Sequence, residues 1–159
     1  MSKIEVLVFF HILGAFLICG GAGVGIAAGI AMGRTTSVRA IALLSNTAHR
    51  AAFVVTLPGS LLVLLTGSWL IADYRFFRME QFWLWSSYVL WVVSALLDNG
   101  VLGPHLSRLH KTASSLEHEG TADSAELQAL ANSPQAAVTG MALLLILVVF
   151  LGLMVFRPD

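Results

Sequence analysis

The sequence predicts an all-α polytopic membrane protein, an antiparallel bundle of four transmembrane helices with an interfacial amphipathic helical segment between the third and fourth. Three observations carry this. Hydrophobic residues make up 57% of the 159 and charged residues only 11%, with a mean hydropathy of +0.84. A soluble domain needs about a quarter of charged residues to cover its surface, so the solvent for most of this surface is lipid. Four apolar stretches, at about 5–33, 51–72, 82–103 and 136–156, each reach the roughly 20 residues that a bilayer core requires. Between the last two lies the only extended polar region, 104–135, and the whole of 1–159 reads as one membrane domain.

The first stretch, Ile4 to Met32, carries no ionised group after Glu5 and one ionisable side chain, His11. It is far longer than a signal-peptide core, so it reads as a retained span. Gly21, Gly25, Gly29 and Gly33 recur at intervals of four, a small-residue row that would let a neighbouring backbone approach. His11 falls within roughly 80° of that row at ~100° per residue and is expected to face partner helices. Cys19 follows Ile18, a poor residue before a lipidation site, and reads as packing; one cysteine excludes an intrachain disulfide and a thiolate cluster.

Gly33 ends the span and Ser37 is placed to cap the next helix. Val38 to Arg50 mixes polar and apolar residues, as an interfacial lead-in does. Pro58-Gly59 in the second span removes a backbone donor, which predicts a kink there, with Thr56, Ser60 or a neighbour satisfying the freed carbonyl. Asp73 to Glu80 is a short charged and aromatic connection flanked by Trp69, Trp83 and Trp85, the composition of a bilayer interface. In the third span Ser87, Trp91, Ser94, Asp98 and His105 fall on one face and predict a polar stripe looking into the bundle. Asn99, Gly100 and Gly103-Pro104 should loosen or end that helix, with Pro104 placed to start another. Leu106, Leu109, Ala113 and Leu116 then recur at helical spacing beside charged residues until Gly120, and Thr121 or Asp123 would cap a second short helix. The fourth span is almost purely aliphatic.

With four spans both termini share a side. Lys3, Arg75, Arg78 and Arg157 lie there, against Arg34, Arg39, Arg50, Arg108 and Lys111 opposite, which favours cytoplasmic loops and outward termini. Lysine plus arginine equals aspartate plus glutamate, which argues against nucleic acid as a partner.

His11 is the sharpest candidate for chemistry. An inward transmembrane imidazole can ligate the iron of haem b, with Gly14, Ala15 and Gly21 giving room to the macrocycle; equally, it can hydrogen-bond a carbonyl or hydroxyl on another helix. Antiparallel threading offers Met154 or Tyr88 at the same depth, and methionine pairs with histidine in known haem ligation. At the opposite side His49, Arg50, Asp98, Asn99 and His105 come to similar depth. They could hold a divalent metal, take the propionates or axial position of a haem, or pass a proton; an Asp98–Arg50 ion pair is the structural alternative. No hydrolase triad, phosphate loop, HExxH or CxxC occurs.

The wording His11-Ile-Leu-Gly14-Ala15, Thr56-Leu-Pro58-Gly59, Leu65-Thr66-Gly67-Ser-Trp69-Leu70 and Leu102-Gly103-Pro104-His105-Leu-Ser-Arg108-Leu109 resembles a family of small predicted bacterial integral membrane proteins catalogued as a domain of unknown function. The resemblance covers about two thirds of the chain and implies a four-helix protein of the bacterial inner membrane, with no reaction attached. More distantly, His11 with Gly14 is similar to the first helix of the four-helix membrane protoporphyrinogen oxidases and of copper-resistance membrane proteins. The oxidases pair that histidine with a lysine in a later helix. Here the lysines are Lys3 and Lys111, and none lies in a span. These features imply a haem b-binding protein of electron transfer or porphyrin chemistry, an accessory subunit of a larger membrane complex or homo-oligomer, or a small-solute or metal transporter.

Overall fold

A computed structural model describes residues 2–73 and 81–157. The chain is all helix apart from short turns, with no strand among the described residues and one isolated antiparallel bridge between Ser37 and Asp123. Four helical rods are long and apolar enough to cross a membrane, so the all-α polytopic architecture holds. The connection Tyr74–Glu80, with Arg75 and Arg78, lies outside the described residues.

The first rod is α1 (Lys3–Gly33). It opens on a capping box in which the Ser2 hydroxyl accepts from the Glu5 amide and the Glu5 carboxylate accepts from the Ser2 amide, satisfying two orphan donors. The second rod runs without a break from Val38 to Asp73 as α2 (Val38–Ala51), a π-helical turn (Ala52–Thr56) and α3 (Leu57–Asp73). Ser37 caps α2 as its sequence position predicts, accepting from the Ala40 amide. The third rod repeats the plan: α4 (Phe82–Leu97), a π-helical turn (Asp98–Leu102) and α5 (Gly103–His118). Gly103-Pro104 therefore does not end the helix.

Both prolines are accommodated in the same way. Each π turn closes two residues before its proline, so that Leu57 N–H donates to Ala52 O ahead of Pro58 and Gly103 N–H donates to Asp98 O ahead of Pro104. The five-residue reach absorbs the missing proline donor inside a continuous helix. Neither Thr56 nor Ser60 is used for the carbonyl four residues before Pro58. The Thr56 hydroxyl turns to Ala51 O at 3.5 Å, and Ser60 accepts from the Trp91 indole.

After α5, Gly120 adopts the left-handed conformation (φ 75°) that terminates a helix. The cap of α6 (Ala125–Ala131) is Ser124, accepting from the Leu127 amide, rather than Thr121 or Asp123. The last rod is α7 (Pro134–Phe156), with proline in its first turn where no donor is missed.

Burial divides the molecule in two. Met32, Val38, Ile41, Ala42, Leu109, Ala113 and Leu127 form a core in which Ile41 and Leu127 are 0% exposed, built by the end of α1 with α2, α5 and α6. This is a water-soluble type of head. Below it the rods expose large apolar side chains such as Phe16, Val54, Leu96, Met141 and Val155. That is the surface a lipid-facing bundle requires. At the terminal end, Lys3 pairs with Asp73 at 2.8 Å and stands over the Trp69 ring, and Arg157 stands over Trp83, so charged and aromatic residues collect at one interface.

Candidate functional site

The closest helix pair in the membrane is α1 with α3. Its seam differs from the predicted row. A methyl added at Gly14 would stand 2.8 Å from both Gly59 O and Val63 Cγ2, and one added at Gly21 would collide with the Thr56 hydroxyl. Gly25 and Gly29 meet nothing within 4 Å. The buried small residues are Gly14, Gly21 and Ala28, spaced by seven. Two helices crossing at a shallow angle repeat contacts every seven residues, two turns of 3.5, so a heptad line stays on the seam while an every-fourth line drifts off it. Gly14 and Gly21 are thus filled by the second rod, and the room expected there for a macrocycle is taken.

His11 lies on this seam, part-buried. Its Nδ1 is 3.2 Å from the Thr66 hydroxyl, whose own oxygen is 2.6 Å from Leu62 O. Thr66 has one proton, and the carbonyl takes it; the hydroxyl then accepts from Nδ1–H. The neutral ring consequently carries its lone pair on Nε2. Gly67 is what admits the imidazole: a methyl there would stand 3.0 Å from Cε1 and 3.4 Å from Nδ1, with Nε2 turned beyond 4 Å. Thr66 and Gly67 were legible only as members of the Leu65–Leu70 wording, since nothing local marks them as partners of a residue 55 positions away.

Met154 is placed elsewhere. It packs with Ile71 and Leu90 on the Trp83–Leu84–Leu153 cluster of α4 and α7. Tyr88 gives its hydroxyl to a 2.9 Å bond with Ser68. Together with the 2.9 Å bond from Trp91 Nε1 to Ser60, this ties α3 to α4. Of the expected polar stripe only Trp91 makes such a tie. The Ser87 and Ser94 hydroxyls return to their own helix, at Trp83 O and Trp91 O.

The second constellation does not close on a common point. The His49 ring packs on Phe53 at 4.9 Å, Arg50 is exposed, and Asn99 donates to Ala95 O in its own helix. Arg50 and Asp98 form no ion pair among the described residues, and no group of three or more His, Cys, Asp or Glu there is near enough to hold a metal. The physical reason is the π turn at Asp98–Leu102. One extra residue in the turn rotates later side chains by about 100°, so His105 leaves the face that a regular helix would share with Asp98.

No curated protein and no solved structure matches this chain. One family does, across nearly its whole length and in keeping with four apolar rods: over residues 5–158 the chain belongs to the family described as predicted integral membrane protein (DUF2269).

Proposed function

We propose that the protein binds haem b in the bacterial inner membrane through His11 and serves electron transfer or porphyrin chemistry. One observation supports the reading: the Thr66 hydroxyl lies 3.2 Å from Nδ1 and gives its own proton to Leu62 O, an arrangement that puts the lone pair of the neutral imidazole on Nε2. Ligating histidines are held in this manner, by an outer hydrogen bond that selects the tautomer and raises basicity. A bound haem would supply one-electron chemistry at its iron. The chain's own part is to orient the imidazole between Thr66 and Gly67 and to surround it with apolar side chains. The chain offers one imidazole, and because the second rod fills the space at Gly14 and Gly21 a macrocycle would have to meet Nε2 away from that seam; Met154, in the Trp83 cluster, is not part of the proposal.

The test is a reduced-minus-oxidised visible spectrum of full-length protein expressed with ample haem and purified in mild detergent. A b-type α-band present in the wild type and absent from His11→Ala is expected. A featureless wild-type trace, or a full haem complement in His11→Ala, overturns the reading.

A second reading, a non-catalytic subunit of a larger membrane complex or homo-oligomer, is favoured by the open space at Gly25 and Gly29. Small residues that no helix of the same chain covers can admit a partner backbone. Stoichiometric co-purification of partners in mild detergent is expected on this reading, and a stable isolated monomer counts against it. The transport reading drew on the Pro58-Gly59 break and on Asp98 with His49; among the described residues no group of three or more His, Cys, Asp or Glu could hold a metal ion.

A further inference from the structure

The charges at the head end differ with height. Arg50 lies in the last turn of α2 and Arg108 and Lys111 in the middle of α5, a level that carries cations, while the tip holds Glu117, Glu119, Asp123 and Glu126 with Arg34 and Arg39 and is net acidic. All nine are exposed. Glu117 is 3.9 Å from Arg39, but among the described residues no carboxylate lies within ion-pair distance of Arg50, Arg108 or Lys111. Helix stability does not explain the sorting. A helix C-terminus favours cations, yet the last turn of α5 carries Glu117 beside His118 and its cap is Glu119.

Height does explain it. The opposite interface is marked by Lys3–Asp73 and by Trp69 and Trp83. At ~1.5 Å per residue, Arg50 stands about 35 Å along its rod from Asp73, Arg108 about 37 Å from Trp83 and Lys111 about 42 Å from Trp83. A bilayer measures roughly 30 Å across its hydrocarbon and 40–45 Å with its headgroups. The three cations therefore fall in the far headgroup layer, and the four carboxylates stand beyond it.

We propose that Arg50, Arg108 and Lys111 form a collar that binds the phosphates of anionic phospholipid headgroups, with the acidic tip holding the head upright off the same surface. The guanidinium groups present forks that match phosphate oxygens, and the ammonium adds a point charge one turn higher. The acidic tip is repelled by an anionic surface, so the two charge sets set one orientation together. This inference stands apart from the haem reading and needs none of its residues.

The experiment is native mass spectrometry of the full chain released from detergent micelles containing equal phosphatidylglycerol and phosphatidylethanolamine. Wild type should retain phosphatidylglycerol about tenfold over phosphatidylethanolamine, with near parity in R50Q/R108Q/K111Q and an unchanged ratio in R34Q, which removes an exposed arginine from the tip. Each single glutamine variant should give a graded part of the loss, which keeps the test decisive if the triple variant folds poorly. A preference that survives all three changes, or that falls equally in R34Q, overturns the proposal. So does displacement of phosphatidylglycerol by millimolar inorganic phosphate, which would make the collar a site for a soluble anion.

Discussion

His11 and Thr66 are joined by a 3.2 Å hydrogen bond between Nδ1 and the hydroxyl, and Thr66 passes its own proton to Leu62 O at 2.6 Å. A residue about two turns inside the first rod is thereby tied to the backbone of the second. The relay has a single direction, because the final acceptor is a carbonyl. Thr66→Val keeps the shape and deletes both bonds. Interhelical bonds in membranes average about 0.6 kcal/mol, up to about 1.7. Unfolding in mixed micelles should show a loss in that range, and Thr66→Ser should restore most of it. With haem bound through His11, the same valine should also weaken binding by about 10–100-fold, as loss of an outer-shell bond does. Unchanged haem affinity in Thr66→Val would separate a structural His11 from a ligating one.

The heptad seam makes a prediction of opposite sign at neighbouring glycines. Gly21→Ala drives a methyl into the Thr56 hydroxyl and should cost about 1–3 kcal/mol, as overpacking does. Thr56→Ala removes that hydroxyl, so the double variant should regain most of the loss, a coupling that a thermodynamic cycle measures. Gly25→Ala and Gly29→Ala meet open space and should be neutral or stabilising by up to about 1 kcal/mol through helix propensity. If a partner helix docks there, both should instead lower oligomer recovery without lowering monomer stability.

How much of this was legible follows from what periodicity encodes. The four apolar stretches needed only composition and length. The Ser37 cap and the Gly120 stop needed only local chemistry, and both stand where that chemistry put them. Pairing was harder. The every-fourth glycine pattern is a true property of α1, but contact is decided by how α1 crosses the second rod, and the crossing selects Gly14 and Gly21 rather than Gly25 and Gly29. The π turns defeated a second inference, since the phase carried from Ser87 through Asp98 to His105 assumes 3.6 residues per turn throughout. Pro58 and Pro104 signalled a disturbance correctly; whether it becomes a break or a π turn depends on neighbours the sequence does not display.

The head core should dominate measured stability outside the membrane. Leu127 is fully buried against Ile41, Leu109 and Ala113, and Leu127→Ala should cost about 2–5 kcal/mol. Limited proteolysis in nanodiscs should then cut near Gly120 and α6 while the spans stay intact. Val148 on α7 is 57% exposed to the lipid side, and Val148→Ala should change stability by less than about 0.5 kcal/mol.

The tie between α3 and α4 rests on long side chains rather than on close backbones. Helices α1 and α3 touch along their glycines, whereas α3 meets α4 through Ser68–Tyr88 and Ser60–Trp91, each at 2.9 Å. Aromatic reach here replaces backbone approach, so deleting a polar tip leaves the ring and its packing in place. Tyr88→Phe and Trp91→Phe should each cost about 0.6 kcal/mol, the average for such bonds in a membrane. The two lie on successive positions of one helix face without sharing a partner, so their losses should add to within about 0.5 kcal/mol in the double variant. Equilibrium unfolding in mixed micelles checks both. A strongly more-than-additive loss would mean that the two bonds close cooperatively and that the first two rods and the last two form a single folding unit through them.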